Sequence, residues 1–188
     1  MEQLILQLND CDVNKRIEAL SKLKAMIDNG EMEKPATGSD VNNHIHTTYS
    51  FSPYSPAKAV WMAYNAGLKT AGIMDHDSLS GAREFIEAGK IIGMMTTIGV
   101  ECRVSMRNTP LNGRRINNPD QKSVAYMAIH GIPHQNIDRV VEFFKPYTAA
   151  RNRRNRAMLD NINKLTAHVD IYTDFDRDVV PLSNFEAG

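Results

Sequence analysis

Two histidines separated by one residue are the first feature of this chain that could carry out chemistry. They are His44 and His46, in the segment NHIHTT at residues 43–48. Positions i and i+2 of a β-strand point to the same face, so both imidazoles can reach one point in space. Neutral imidazoles on a shared face, next to hydroxyl side chains, are a natural start for a divalent-metal site. Because two unrelated histidines also fall at this spacing by chance, the pair needs support from other ligands.

Three later segments supply further candidate ligands, and each follows or closes a predicted strand. Asp75-His76-Asp77 comes directly after the second strand, Glu101 closes the third, and His130 closes the fourth. Functional side chains of α/β barrels and open parallel sheets collect at the carboxyl ends of the strands. We therefore expect one shared site, whose candidate metal ligands are His44, His46, His76, Glu101 and His130.

Simpler explanations stay open at several of these positions. Asp77 or Ser78 could cap the helix that follows, although His76 has no such role. Glu101 could be a surface carboxylate. His130 is explained either as a ligand or as an ordinary strand-end residue.

The candidate ligands are nitrogen and oxygen donors, with no cysteine among them. Such a set suits Zn, Mn or Fe at hydrolytic sites, often with two or three ions. A carboxylate such as Glu101 can bridge two ions, and a bridged pair activates a water and supports an in-line displacement at phosphorus. Asp75 and Glu101 are the candidate catalytic carboxylates.

Strands and helices alternate through the part of the chain that must position these side chains. The predicted strands cover residues 41–47, 68–74, 96–102 and 123–129. The predicted helices cover residues 55–66, about 80–92, and about 135–165 with an interruption near Pro146. This alternation predicts a parallel α/β sheet or barrel. Residues 105–121, which are polar and contain Pro and Gly, are predicted to form a long surface excursion.

The first 39 residues are predicted to form a helical prefix and a linker. A short helix at residues 2–8 precedes a second helix, which Asp12 caps and Gly30 ends. Residues 31–39 show no periodicity. This prefix either packs on the main domain, residues 40–188, or projects from it.

The composition is that of an ordinary soluble globular protein, with 42% apolar and 23% charged residues. Lys and Arg number 22, as do Asp and Glu, so net charge gives no general attraction to nucleic acid or acidic membranes. The two cysteines argue against a disulfide scaffold. The N-terminus lacks a signal-peptide pattern, and no apolar run reaches the roughly 20 residues of a membrane span. We therefore predict a cytoplasmic protein without a membrane partner.

Taken together, the motifs resemble those of the PHP family, the polymerase and histidinol phosphatase domain. The family's motifs are His-x-His-Thr, Asp-His-Asp at a strand end, and a glutamate after Gly and a hydrophobic residue. They match residues 44–47, 75–77 and 99–101 in order, and the resemblance extends over residues 41 to about 133. It implies a distorted seven-stranded β/α barrel and metal-dependent phosphoester hydrolysis. It also implies that the metal ligands include His44, His46, His76 and Glu101.

The chain departs from the family pattern at four points. Ser50 is followed by Phe51, where members often have Asp, and Asn42 occupies another position that is often Asp. In the fourth strand the plainest register puts Tyr126 at the position of the family's histidine, while His130 could serve instead. The family's final Asp-x-His motif is not found, and four strands cannot close a seven-stranded barrel. We therefore expect an incomplete PHP domain in this chain.

The predicted activity is metal-dependent hydrolysis of a phosphoester, with a small phosphomonoester as the favoured substrate. A PHP-like binding module that has lost catalysis is the first alternative, because of Phe51 and the missing final motif. A nuclease acting on DNA or RNA ends is the second. It stays open because the arginine-rich segment at residues 151–156 could attract a phosphate-bearing substrate.

Overall fold

The computed structural model describes residues 1–50 and 52–183, and its centre is a four-stranded sheet in the order β1-β2-β3-β4. The strands are β1 (Val41–Ile45), β2 (Thr70–His76), β3 (Met95–Ser105) and β4 (Val124–His130). β1 pairs with β2 and β2 with β3 in parallel, whereas β4 is antiparallel to β3. The α/β class is therefore confirmed, but the described residues do not contain the seven strands of a complete barrel.

The direction of β4 corrects the prediction of a parallel sheet in which all four carboxyl ends meet. Gly99 faces His130 across the β3–β4 pair, and Arg103 faces Tyr126. A parallel neighbour needs a crossover connection, usually a helix, whereas an antiparallel one does not. Residues 106–123 form turns without a helix or strand, so the chain returns directly along β3. β4 therefore ends beside the middle of β3.

Three strand limits differ from the prediction in ways that affect the candidate ligands. β1 ends before His46, which lies just beyond it. β2 continues through His76, two residues further than predicted. β3 continues to Ser105 because β4 pairs with its second half. Glu101 therefore lies inside β3 and not at its end.

The described residues contain five α-helices. They are α1 (Glu2–Gln7), α2 (Val13–Asp28), α3 (Pro56–Asn65), α4 (Ala82–Ile92) and α5 (Ile137–Thr166). The Ser55 side chain caps α3. α4 begins after Gly81, where a Cβ would lie 2.9 Å from the ring of Tyr49. α5 runs without a break through Pro146, because a proline removes one helical hydrogen bond without having to end the helix. None of the described helices is both long and apolar enough to cross a membrane.

The helices and the candidate ligands lie on opposite faces of the sheet. Ile73 and Val100 point to the face covered by α3 and α4, where they are buried with Phe85 in the apolar core. Side chains alternate along a strand. His76 and Glu101 therefore point to the face that these helices leave uncovered.

The N-terminal prefix packs on the main domain and does not project from it. Leu20 and Leu23 of α2 are fully buried in the same apolar core as Phe85. Arg16 is also buried, and its Nε and Nη2 donate to the carboxylate of Glu84 on α4 at 2.8 and 2.5 Å. Apolar burial and a buried ion pair thus join the two segments.

The prefix also holds the loop that leads from β1 to α3. The Asn9 side chain donates to the carbonyl of Pro53 and accepts from the N–H of Ser55, both at 2.9 Å. The hydroxyl of Ser55 donates to a main-chain carbonyl of the prefix at 2.5 Å. Phe51, where the sequence departs from the family pattern, lies outside the described residues. The far end of this loop is therefore anchored by the prefix.

Candidate metal centre

Three imidazoles converge on one carboxylate oxygen at the uncovered face of the sheet. The Nε2 atoms of His44, His46 and His76 lie 3.0, 3.6 and 3.5 Å from Oε2 of Glu101. The rings of His46 and His76 are stacked, with their centroids 4.7 Å apart. The structure thus brings together the four side chains that the sequence motifs single out.

Strand register and a bulge bring these side chains together. His76 and Glu101 are direct partners across the parallel β2–β3 pair, so they lie side by side on one face. The β1–β2 register shifts between Asn42 and Ile45, around His44, as it does at a β-bulge. Bulges re-aim the side chains around them. The ring centroid of His44 here lies 5.0 Å from that of His46.

The spacing of the donor atoms fits a divalent ion. Ligands about 2.0–2.2 Å from a tetrahedral ion lie roughly 3.4 Å from each other. The separations of the three Nε2 atoms from the Glu101 oxygen, 3.0 to 3.6 Å, bracket that value. Among the described residues, the donor atoms of His44, His46 and Glu101 all lie within 4.8 Å of one another, and His76 is not part of this group. Imidazole and carboxylate suit Zn, Mn and Fe alike, so the donors favour a divalent metal without selecting one.

The surroundings favour the neutral form of two of the histidines. Burial lowers the pKa of His46, and the nearby His76 and His44 lower it further, while Glu101 acts in the opposite direction. Burial also lowers the pKa of His76 against the effect of Glu101, and the charge of Arg151 adds to the lowering. Protons compete with metal ions for imidazole nitrogens. Lowered pKa values therefore favour metal binding near neutral pH.

Ser50 contacts two of the imidazoles on the side away from Glu101. Its hydroxyl oxygen lies 2.6 Å from Nδ1 of His76 and 3.4 Å from Nδ1 of His46, and it accepts from the main-chain N–H of His76 at 3.1 Å. An imidazole that binds metal through Nε2 carries its proton on Nδ1, which can then donate to this hydroxyl. Ser50 therefore orients both rings with Nε2 toward Glu101.

Replacing Ser50 by alanine is expected to weaken metal binding about 10- to 100-fold without removing it, because two rings lose their shared hydrogen-bond partner. Calorimetric titration of Zn or Mn into the wild type and the variant measures the change. Ser52→Ala is the matched control, since the Ser52 hydroxyl accepts from the N–H of Tyr54 in the same loop. Equal affinities for the wild type and Ser50→Ala would show that the hydroxyl does not orient the rings.

Asp75, a candidate catalytic carboxylate, lies on the core face of β2 and is only 1% exposed. Its two oxygens accept hydrogen bonds of 2.6 Å from the N–H and from the hydroxyl of Thr47. Burial raises the pKa of Asp75 to about 6, and the hydrogen bonds from Thr47 oppose the rise. Among the described residues, the hydrogen bonds of Asp75 are with Thr47 and not with the imidazoles. The structure places the carboxylate where it fixes the backbone directly after His46.

The fourth strand contributes two rings to the border of the cluster. The ring centroid of His130 lies 6.4 Å from that of His44, and that of Tyr126 lies 5.9 Å from that of His76. Among the described residues, no hydrogen bond or ion pair joins His130 to the other candidate ligands. His130 and Tyr126, the two residues considered at the position of the fourth-strand ligand, thus border the cluster, one beside His44 and the other beside His76.

Two arginines also lie at the border of the site: Arg151, from the arginine-rich segment that was singled out in the sequence, and Arg103, which was not. Arg151 of α5 forms an ion pair with Asp77 at the end of β2. Arg103 of β3 donates from Nε to the hydroxyl of Tyr126 at 3.1 Å. The sequence signal for Arg103 is its position two residues after Glu101, which puts both on one face only if the strand continues.

Comparisons with known proteins find a matching family and a similar solved structure. The sequence profile described as the PHP domain matches residues 42–185. A crystal structure named a "putative metal-dependent phosphoesterase", from Bifidobacterium adolescentis, is similar to this one, with a TM-score of 0.52 and 27% sequence identity. The similarity covers 70% of this chain and 40% of that one, so this chain spans less than half of that protein's length. No curated protein matches the chain.

Proposed function

The chain belongs to the PHP domain family, and we propose that it binds divalent metal ions and hydrolyses a phosphoester, with a small phosphomonoester as its substrate. The observation that carries the proposal is the convergence of three imidazoles on the carboxylate of Glu101. Three rings around one oxygen exceed what a structural hydrogen bond requires. Histidine and carboxylate donors at this spacing are the ligands of hydrolytic metal sites.

The proposed metal ligands divide into a central group and one border residue. Glu101 supplies negative charge against the charge of a divalent ion, and His130 is proposed to complete the set on the side of His44. Asp75 is assigned a supporting role, because it holds Thr47 and points away from the cluster. The central group is His44, His46, His76 and Glu101.

A bound divalent ion would supply the Lewis acid that activates a water and stabilises the charge developing at phosphorus. The chain's own groups keep the donor atoms in place. Ser50 fixes two rings from behind, and the pair of Arg151 with Asp77 fixes the end of β2. Such support matters because small displacements of reacting groups cost large factors in rate.

Hydrolysis assays with three substrates test the proposal. p-Nitrophenyl phosphate, a histidinol-phosphate-like monoester and a single-stranded oligonucleotide are each incubated with the protein and with Mn or Zn. We expect the protein to release phosphate from the two monoesters, and we expect a chelator to abolish this release. Metal binding without any hydrolysis would instead indicate a binding module, and cleavage of the oligonucleotide alone would indicate a nuclease. Failure to retain any metal, measured by elemental analysis, would overturn the proposal itself.

A further inference from the structure

Arg103 places a positive charge at the border of the metal centre, and no carboxylate of the described residues forms an ion pair with it. Within the described part of the chain, its side chain makes one hydrogen bond, from Nε to the hydroxyl of Tyr126, and no ion pair. By contrast, Arg16, Arg151 and Arg156 each face a carboxylate. A guanidinium that is held in place but not neutralised is available to an anionic ligand.

Contacts with Tyr126 hold this guanidinium in place. The two residues are direct partners across β3 and β4, and Cζ of Arg103 lies 5.3 Å from the centroid of the Tyr126 ring. The hydroxyl of Tyr126 accepts the hydrogen bond from Nε, which leaves the two terminal NH₂ groups of Arg103 for a ligand. The planar fork of arginine matches two oxygens of a phosphate group.

The same contacts connect Arg103 with the metal centre. Glu101 precedes it by two residues and therefore lies on the same face of β3. The ring of Tyr126 lies 5.9 Å from that of His76. The guanidinium is thus close enough to act on a group bound at the cluster.

We propose that Arg103, oriented by Tyr126, binds the non-bridging oxygens of a terminal phosphate whose phosphorus lies at the metal centre. The inference rests on the proposed function and names the residue that would select a terminal phosphate over a phosphodiester. A terminal phosphate has three non-bridging oxygens and a charge of about −1.5 to −2 at pH 7. Two oxygens can face the fork while the third faces the metal. A diester has only two such oxygens, so the fork and the metal would compete for them.

Inorganic phosphate is the probe that tests this subsite. Its binding to the metal-loaded protein is measured by calorimetry and, where hydrolysis is present, by competitive inhibition. Arg103→Ala is expected to weaken phosphate binding about 10- to 100-fold, the effect of losing hydrogen bonds between charged groups. Arg103→Lys is expected to restore only part of the affinity, because it keeps the charge and loses the fork. Tyr126→Phe is expected to weaken binding less than Arg103→Ala does.

Arg107→Ala is the matched control, because Arg107 is an exposed arginine four residues further along the chain. It should leave phosphate binding unchanged, and metal content should stay constant in every variant. Unchanged phosphate affinity in Arg103→Ala would overturn the subsite, as would loss of metal from that variant. If hydrolysis continues in that case, the proposed function still stands. Weakened phosphate binding in a metal-loaded protein that hydrolyses no ester would support the subsite and overturn only the proposed function.

Two substrates, one with a terminal phosphate and one with a phosphodiester, test which of the two groups Arg103 recognises. Arg103→Ala is expected to raise the KM for p-nitrophenyl phosphate more than the KM for bis(p-nitrophenyl) phosphate. Equal increases for both substrates would overturn the assignment of the subsite to a terminal phosphate.

Discussion

Replacing Glu101 by glutamine is expected to abolish metal binding, and phosphoester hydrolysis with it, while the fold stays intact. Glutamine has nearly the same shape but no negative charge, so three imidazoles lose the anionic partner that they share. Side chains that only orient metal ligands contribute about 10- to 100-fold to affinity, and loss of a direct ligand should exceed that range. Elemental analysis, circular dichroism and the rate on p-nitrophenyl phosphate measure the three outcomes.

Glu87→Gln is the matched control for this substitution. Glu87 is exposed on α4, and its carboxylate lies 3.9 Å from the ammonium group of Lys90. The control should keep the metal content, the fold and the rate of the wild type. His44→Ala and His46→Ala should behave like Glu101→Gln. Full metal content in Glu101→Gln would show that the carboxylate of Glu101 is not a metal ligand.

The grouping of His44, His46, His76 and Glu101 could be predicted because it depends on local rules. Side chains two residues apart in a strand share a face, and adjacent parallel strands end at one edge of a sheet. Neither rule needs the exact limits of a strand. The four donors therefore meet even though β1, β2 and β3 all end at residues other than those predicted.

The orientation of Asp75 could not be predicted, because it depends on where β2 ends. A strand that ends at residue 74 leaves Asp75 and His76 in a loop, where either side chain could face a metal ion. β2 in fact continues through His76, and alternation sends Asp75 to the core face, where it holds Thr47. One strand boundary thus separates a catalytic interpretation of this carboxylate from a supporting one.

The direction of β4 and the role of Ser50 have no local signal in the sequence. Alternation along a strand is the same in either direction, and the connection at residues 106–123 is long enough for both. Ser50 reaches His76 only because the loop after β1 folds back on the sheet. That loop is in turn held through Asn9 and Ser55. Contacts between segments so distant in the chain are not encoded in a short motif.

The N-terminal prefix is expected to be essential to stability, and Arg16→Ala tests this. The substitution is expected to lower the free energy of unfolding by about 3–5 kcal/mol, because it leaves the carboxylate of Glu84 buried without its cationic partner. The side chains of Arg16 and Glu84 are only 7% and 4% exposed, so water cannot replace the lost contact without local unfolding. Urea unfolding followed by circular dichroism measures the change.

Lys22→Ala is the control on the same helix. Lys22 forms an ion pair with Glu18 at 2.6 Å, but these side chains are 55% and 60% exposed. Exposed pairs of this kind contribute about 0–1 kcal/mol, because water and salt screen the charges. Equal losses of stability in Arg16→Ala and Lys22→Ala would show that the buried pair is not what joins the prefix to the domain.

A double substitution separates the charge of Arg16 from its packing. Arg16→Met combined with Glu84→Gln removes both charges, and glutamine keeps an oxygen for the N–H of Ala57, which donates to Glu84 at 3.1 Å. We expect this variant to regain most of the stability lost in Arg16→Ala, because no charge is left buried alone.

The metal affinity of the double variant should still fall below that of the wild type. Burial lowers the pKa of Arg16, but Glu84 and, to a smaller extent, Tyr49 raise it above its ordinary value, which places Arg16 near the loop that carries Ser50. A stable double variant with wild-type metal affinity would confine the role of Arg16 to the fold.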